Sequence, residues 1–234
     1  MFGQNPIRNK DTGDGTTLRV QDIFPTVQGE GPLAGTPAVF VRLAGCNLRC
    51  FFCDTDFESN YDNVIDYERV AQIVYNCCHN LVVLTGGEPL LQNVVPLIAR
   101  LQRNGHKIQI ETAGTVWPQG LEDYYTDIVV SPKTPKVHKN VAAKAAAWKY
   151  IITSKEECSE EDGLPIYSTQ AQGKRTYLCR PPNSVLLISP DRVFLQPCDF
   201  GDVRTQYAQQ ACIEIALRFG YRISLQLHKI LRVP

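Results

Sequence analysis

The stretch A-V-F-V-R-L-A-G-C-N-L-R-C-F-F-C-D-T, residues 38–55, joins an apolar run to a loop that carries three cysteines. Residues 38–43 are apolar apart from Arg42, and this short run predicts a buried strand. The cysteine loop begins where that strand ends. It therefore lies at the carboxyl end of the strand.

The cysteines Cys46, Cys50 and Cys53 have the spacing C-x3-C-x2-C, and no fourth cysteine follows at a similar interval. Most electron-carrying iron–sulfur clusters use four cysteines, and structural zinc sites fill all four of their positions. Three thiolates can instead hold three irons of a [4Fe–4S] cluster and leave the fourth iron open. The spacing thus predicts a cluster whose open iron takes part in chemistry.

Composition limits the classes of function. The chain has 234 residues, 44% of them hydrophobic, and its 24 basic residues balance 24 acidic ones. A neutral chain offers no general basic face, so no nucleic-acid partner is expected. No apolar run approaches the length of about 18 residues that a transmembrane helix needs, and the start lacks the apolar segment of a secretory signal, so no membrane is expected. Nine cysteines with a tight triplet favour a reducing cytoplasm over a disulfide framework.

Strand and helix patterns alternate along the chain. Strands are predicted at residues 38–43, 81–84, 107–111, 127–130, 148–152, 185–188, 193–195 and 222–227. Helices are predicted at residues 67–77, 90–103 and 201–218. Alternation of this kind implies parallel β-α units, which are too few here for an eight-fold barrel. We expect α/β architecture in a single domain, residues 1–234, forming a partial TIM-like β/α barrel of parallel strands, with residues 1–17 as a loose lead-in.

Unusual short motifs follow the predicted strands. They are T-G-G-E-P at 85–89, E-T-A-G-T at 111–115, S-P-K at 131–133 and L-Q-P-C-D at 195–199. Ligand sites in parallel α/β sheets collect at the carboxyl ends of the strands, so these motifs should share one rim with the cysteine loop. The glycine pair in T-G-G-E-P would let backbone groups approach a ligand. A simple strand-to-helix turn would account for that pair equally well by itself, and S-P-K alone is weak evidence.

The combination of C-x3-C-x2-C with T-G-G-E-P resembles the radical S-adenosylmethionine superfamily. The resemblance implies that the amino and carboxylate groups of S-adenosylmethionine chelate the open iron. One electron then cleaves the cofactor to methionine and a 5′-deoxyadenosyl radical, which abstracts a hydrogen atom from the substrate. The resemblance also implies an electron donor such as flavodoxin or ferredoxin.

Further motifs narrow this resemblance. F-P-T-V-Q-G-E-G-P at 24–32 precedes the cysteine loop, and Q-L-H-K-I-L-R-V-P ends the chain at 226–234. Over about residues 20–234 the sequence is similar to the 7-carboxy-7-deazaguanine synthase family of queuosine biosynthesis. The similarity implies a carbon–nitrogen lyase that converts 6-carboxy-5,6,7,8-tetrahydropterin to 7-carboxy-7-deazaguanine with loss of ammonia. It also implies a homodimer with a reduced barrel and a requirement for Mg²⁺.

The resemblance assigns roles by position. The cluster ligands would be Cys46, Cys50 and Cys53, and Thr55 would give its hydroxyl oxygen to Mg²⁺. The residues implied for S-adenosylmethionine are Phe52, Cys53, Asp54, Gly87, Glu111, Ser131, Pro132, Lys133, Gln196, Pro197, Cys198 and Asp199. Those implied for the pterin are Gln28, Gly29, Glu30, Arg42, Thr85, His228 and the terminal carboxylate of Pro234.

The chain departs from the family pattern at Ala113, where asparagine is more common, so that residue's hydrogen bond is lost or supplied elsewhere. Two other functions stay open. Activases that install a glycyl radical on a partner protein share the cysteine motif, but they would not account for Q-G-E-G or the final H-K. A structural zinc site would need Asp54 or His79 as a fourth ligand. The sequence does not decide whether the product enters tRNA, DNA or a secondary metabolite.

Overall fold

One sheet runs through the part of the chain that the computed structural model describes, residues 5–170 and 176–234. Its strands are β1 (Thr17–Val27), β2 (Pro37–Leu43), β3 (Val64–Asp66), β4 (Leu81–Gly86), β5 (Lys107–Thr112), β6 (Asp127–Val130), β7 (Ala145–Ile152), β8 (Val193–Pro197) and β9 (Arg222–Ile223). Within these residues the order is β3-β1-β2-β4-β5-β6-β7-β8-β9. Strands β2 and β4 to β9 are parallel, whereas β1 pairs antiparallel with β2 and β3. This open, mostly parallel sheet confirms the predicted partial barrel.

Helices lie between many of the strands. They are α1 (Tyr67–Asn76), α2 (Val95–Arg103), α3 (Lys139–Lys144), α4 (Asn183–Ile188), α5 (Val203–Phe219) and α6 (Leu227–Leu231). Side-chain caps fix two of the starts, because Asp66 accepts from Glu68 N and Asp202 accepts from Arg204 N. The longest helix, α5, stops at Gly220, whose φ of 75° suits glycine. Among the described residues, no helix is long and apolar enough to cross a membrane.

The two faces of the sheet differ in chemistry because side chains alternate along each strand. On the outer face, residues such as Leu84, Trp148 and Tyr150 are fully buried in the main core with the helices. The inner face is apolar toward the amino ends of its strands, where Val83 and Phe194 lie. Toward the carboxyl ends it becomes polar, at Arg42, Thr85, Glu111, Lys149 and Gln196. The fold therefore places its polar inner side chains at one rim.

One predicted strand is wrong and another is too long. Residues 185–188 form most of α4, and Val185 is buried while Leu187 and Ile188 are exposed. A short apolar run has no reliable period, so its sequence could not separate helix from strand. The predicted strand at 222–227 ends at Ile223, because Ser224 Oγ accepts from Gly31 N and α6 begins at Leu227.

Two other boundaries also differ from the prediction. The helix predicted from residue 90 begins at Val95, because Gln92 is extended and its side-chain amide bonds the backbone of Arg19. The lead-in predicted to be loose lies partly outside the described residues, at positions 1–4. Its described part contacts the cysteine loop, as shown below. The other predicted helices and strands are confirmed within a few residues.

Candidate active site

A cavity of about 450 Å³ opens at the carboxyl ends of the parallel strands. All the site residues predicted from the sequence line it except Gly29 and Pro132. The cysteine loop follows β2, T-G-G-E-P follows β4, and the remaining motifs follow β5, β6 and β8. Parallel strands that end together thus bring residues distant in sequence to one place.

The glycine pair of T-G-G-E-P is required by packing against the cysteine loop. A Cβ at Gly87 would lie only 2.6 Å from Cys46 Cβ. Gly86 has a φ of +147°, and a Cβ there would overlap Leu43 O. The backbone of this motif lies directly beside the first cysteine, and neither position therefore has room for a side chain.

Glu88, in the same motif, ties two rim loops together. Its carboxylate is fully buried and accepts from Leu90 N at 3.1 Å, from Thr112 Oγ1 at 2.7 Å and from Ala113 N at 2.8 Å. Burial raises the pKa of Glu88, and these three donors oppose the rise. Position 113 thus contributes its backbone amide here, while the Ala113 methyl packs beside the cysteines.

The cysteine environment fits a metal cluster. Cys46 is buried beside Leu48 and Phe57, while Cys50 and Cys53 are half-buried at the cavity wall. Burial raises the pKa of the Cys46 and Cys53 thiols. Such thiols lose their protons readily only to a cationic partner, which iron would provide.

The described residues do not support the zinc alternative. His79 precedes β4 and so lies at the amino edge of the sheet, opposite the cysteine loop. The Asp54 carboxylate is bonded to Lys229 at 2.7 Å. In the described ranges, no three His, Cys, Asp and Glu side chains, the loop cysteines included, are placed to share one metal ion. A zinc site requires such sharing, whereas a cluster gives each cysteine its own iron.

Residues 5–8, here called the N-terminal strap, lie across the cysteine loop. Arg8 N donates to Cys46 O at 2.7 Å, and Arg49 Nε donates to Asn5 O at 2.9 Å. The Arg8 guanidinium pairs with Glu58 at 2.7 Å and stacks 3.7 Å from the centre of the Tyr61 ring. The prediction of a loose lead-in is therefore wrong for the strap, because local composition gave no sign of these distant contacts.

A charged network missed by the sequence analysis lies on the inner face. Lys149 of β7 is buried, pairs with Glu30, and lies 3.0 Å from Glu111 Oε2. Burial alone would raise the pKa of Glu30, but Lys149 holds it at about 2. Burial raises the pKa of Glu111. The pKa of Lys149 is also raised, because the two carboxylates outweigh the lowering effect of its burial. Glu30 is thus a partly buried carboxylate kept ionised by one ammonium.

Amide side chains complete this network. The donors are Gln109 and Gln28 to Glu111 Oε1, at 2.6 and 3.4 Å, and Gln226 and Gln196 to Glu30 Oε1, at 2.9 and 3.2 Å. Strand alternation offered a signal for Lys149 and Gln109, since each is a polar residue inside an apolar strand. Nothing local linked Gln226 to Glu30, 196 positions away.

Arg42 is a cation of the cavity wall for which no ion pair with a carboxylate is seen among the described residues. Its Nε is buried and has no hydrogen-bond partner, although its guanidinium lies 5.5 Å from the centre of the Phe24 ring. Burial lowers the pKa of Arg42, which nevertheless stays charged. Thr85 is its register partner on β4. A partly buried guanidinium on a cavity wall suits an anionic ligand with two acceptor oxygens.

Helix α6 closes the cavity from the carboxyl-terminal side. Lys229 Nζ bridges Asp54 at 2.7 Å and Asp199 at 2.9 Å, so it ties α6 to two rim loops. The hydrogen bond from Lys229 lowers the pKa of Asp199. His228 lines the cavity, and burial lowers its pKa. Pro234 O accepts from Thr26 Oγ1 at 2.6 Å.

The remaining predicted residues are those of S-P-K, residues 131–133, and Thr55. Lys133 Nζ donates to Ser131 O at 2.9 Å, and burial lowers the pKa of Lys133. Pro132, between them, is buried but does not line the cavity. Thr55 lines the cavity, where its hydroxyl donates to Asp54 Oδ1 at 3.3 Å. S-P-K thus contributes two of its three side chains to the site.

Comparisons with known proteins show which family and fold this chain resembles. A family model described as the radical SAM superfamily matches residues 41–151. The 7-carboxy-7-deazaguanine synthase of Rhodospirillum rubrum is 44% identical over 100% of both chains. That of Rickettsia prowazekii is 36% identical, over 100% of this chain and 96% of its own. The QueE structure from Escherichia coli has a similar fold, with a TM-score of 0.67 at 23% identity over 92% of this chain and 99% of that one.

Proposed function

Because this chain belongs to the 7-carboxy-7-deazaguanine synthase family of radical S-adenosylmethionine enzymes, we propose that it converts 6-carboxy-5,6,7,8-tetrahydropterin to 7-carboxy-7-deazaguanine. The reaction contracts a six-membered ring and releases ammonia, so the enzyme would be a carbon–nitrogen lyase. The observation that carries the proposal is the buried, unpaired Nε of Arg42 in the same cavity as the three cysteines. With a cluster bound, this cavity would offer a carboxylate site beside a radical-generating centre.

Cys46, Cys50 and Cys53 would hold a [4Fe–4S] cluster, which with S-adenosylmethionine at its open iron supplies the 5′-deoxyadenosyl radical. The chain's own residues would position that cofactor. The backbone at Gly87 passes beside Cys46 without a side chain in the way, and Ser131 and Lys133 present polar atoms to the cavity. Phe52, Asp54 and the 196–199 loop line the same wall.

The substrate would bind across the inner face. Arg42 would take its carboxylate through two parallel hydrogen bonds, which the planar guanidinium favours. The ionised Glu30 and the adjacent Glu111 would accept from the N–H groups of the aminopyrimidinone ring. Gln28, Thr85 and His228 line the cavity around these groups. The carboxytetrahydropterin carries a carboxylate, which suits Arg42, and several N–H donors, which suit Glu30 and Glu111.

Other features of the proposal rest on the family resemblance. Mg²⁺ would bind near the Thr55 hydroxyl together with substrate and water oxygens, as hard cations with few protein ligands do. A flavodoxin or ferredoxin would supply the electron, and the enzyme would work in the cytoplasm as a homodimer. Exposed apolar residues on α4 and α5, including Leu187, Ile188 and Leu217, support a partner surface.

Anaerobic turnover tests the proposal. Protein reconstituted with iron and sulfide should be brown and hold about four irons per chain. With dithionite, S-adenosylmethionine, Mg²⁺ and the carboxytetrahydropterin, it should form the deazaguanine and ammonia, both detectable by mass spectrometry and enzymatic assay. Cys50→Ala should lose the cluster and all activity, whereas Cys78→Ala, at an exposed cysteine far from the cavity, should not. Release of 5′-deoxyadenosine without product would retain the radical chemistry and reject the substrate.

A further inference from the structure

Residues 168–170 cover Cys50 from outside the cysteine loop. They belong to the long connection between β7 and α4. Phe51 N donates to Thr169 O at 3.2 Å, and Cys50 forms an isolated antiparallel bridge with Gln170. The backbone of this segment thus pairs with the loop at its second cysteine, although Cys50 and Thr169 are 119 positions apart.

Two side chains of this segment point donors at the Cys50 sulfur. Thr169 Oγ1 lies 3.2 Å from Cys50 Sγ, and Gln170 Nε2 lies 3.4 Å from it. Both distances are within the range of hydrogen bonds to sulfur.

The orientation of each donor is supported by its other contacts. Gln170 Oε1 accepts from Arg49 N at 2.9 Å, which fixes the amide so that its NH₂ group faces the sulfur. Thr169 is buried, with 7% of its surface exposed, and its hydroxyl has one competing acceptor, Lys133 O, at the longer distance of 3.5 Å. Cys50 Sγ is therefore the nearer acceptor for both side chains.

Hydrogen bonds to a ligating sulfur change the energy of electron transfer. A cluster that gains an electron carries more negative charge, which spreads onto its thiolate sulfurs. Donors aimed at those sulfurs stabilise the reduced form more than the oxidised form, so they raise the reduction potential. The effect is strongest where solvent is excluded, as it is at the buried Thr169.

We propose that Thr169 and Gln170 donate hydrogen bonds to the Cys50 thiolate in the loaded enzyme and raise the reduction potential of its cluster. The inference rests on the proposed function, which places the cluster on Cys50. Both residues act through the thiolate and touch neither substrate nor reacting atoms. They would set how readily an electron donor reduces the cluster.

Redox titration of the reconstituted enzyme, followed by electron paramagnetic resonance, tests this role. Thr169→Val removes the hydroxyl at constant shape, and Gln170→Glu keeps the acceptor for Arg49 N but replaces the donor by a carboxylate oxygen. Each variant should shift the potential to more negative values, and the double variant should shift it further. Thr169→Ser should restore the wild-type value. Thr16→Val is the matched control, because its exposed hydroxyl donates to Asp14 Oδ1 at 2.7 Å and not to sulfur; it should leave the potential unchanged.

Unchanged potentials in Thr169→Val and Gln170→Glu, with full iron content, would overturn the inference while leaving the proposed function intact. A wild-type protein that binds no cluster would instead overturn the proposed function. If a variant fails to assemble its cluster, pulsed resonance of the reduced wild-type enzyme in D₂O decides the question. Exchangeable deuterons coupled to the cluster at hydrogen-bond distance from a thiolate are expected, and their absence would reject the hydrogen bonds.

Discussion

Gly29 packs directly against His228, so that a Cβ at position 29 would overlap the imidazole and lie 3.0 Å from His228 N. The backbone joins them as well, since Leu227 N donates to Gly29 O at 3.0 Å. Gly29 therefore does not line the cavity but sets where α6 places His228. The glycine of Q-G-E-G has a packing role that its sequence motif does not reveal.

Gly29→Ala should displace α6 and His228 from the cavity. Overpacking of this kind costs about 1–3 kcal/mol of folding free energy, and pterin binding should weaken as the wall moves. Cleavage of S-adenosylmethionine without substrate should weaken too, because Lys229 of α6 also holds Asp54 of the cysteine loop. The measurements are thermal unfolding and the KM for the pterin, with Gly13→Ala at an exposed site as the control. An unchanged KM would show that His228 does not contribute to substrate binding.

Lys149→Met should strongly destabilise the protein at neutral pH, because it leaves two partly buried carboxylates without their buried cation. Breaking a buried pair in this way costs about 3–5 kcal/mol. In the wild type, the pKa of Glu30 is lowered to about 2, so its contribution is present above the ordinary carboxylate pKa and is lost as pH falls toward 2. In the variant, Glu30 no longer makes this stabilising contribution. Protonation of the unpaired carboxylates should therefore reduce the difference in folding free energy between variant and wild type as pH falls.

Urea unfolding of both proteins across this pH range measures the effect. Lys155→Met is the matched control, since Lys155 pairs with Glu214 at 2.7 Å on the exposed surface, and it should change stability little. If the free energy of unfolding of Lys149→Met is lower than that of the wild type by the same amount at every pH, the loss of stability comes from packing and not from charge.

Arg42→Gln should weaken pterin binding and leave substrate-free cleavage of S-adenosylmethionine unchanged. A hydrogen bond between charged groups contributes about 1.5–3 kcal/mol, so the KM should rise by about 10- to 100-fold. Arg42→Lys should recover part of the affinity, because it keeps the charge but loses the planar fork. Product formation at an unchanged KM would exclude Arg42 as the carboxylate site.

Arg8→Ala should loosen the N-terminal strap and speed the loss of iron from the reconstituted protein. The substitution removes the contacts to Glu58 and Tyr61 that hold the strap across the cysteine loop. The measurement is the decay of cluster absorbance with a chelator under anaerobic conditions. Lys10→Ala, which removes an exposed contact to Trp117 O, is the control. Equal decay rates in all three proteins would show that the strap does not retain the cluster.

Much of the site could be predicted because its motifs are local. The cysteine spacing, the glycine pair and the rim motifs each lie in a few consecutive residues after a strand, and parallel strands bring such segments together. The strands β2, β4 and β6 were predictable for a similar reason, since a strand buried on both faces is a nearly continuous apolar run. Strand β5, K-I-Q-I-E-T, was predictable from its alternation of polar and apolar residues. The prediction failed at 185–188, where a short apolar run forms part of a helix, α4.

The sequence by itself determined that three cysteines share one loop and that polar motifs share one rim, because both follow from spacing and from the direction of the strands. Only the tertiary structure decided which charges meet. Lys149 reaches Glu30 from 119 positions away, and Thr169 reaches Cys50 across the same separation. Neither partner has a local pattern that identifies the other, since burial and pairing depend on how the chain closes around the cavity. The sequence therefore specified where the chemistry starts, and the folded chain specified the charges and hydrogen bonds that surround it.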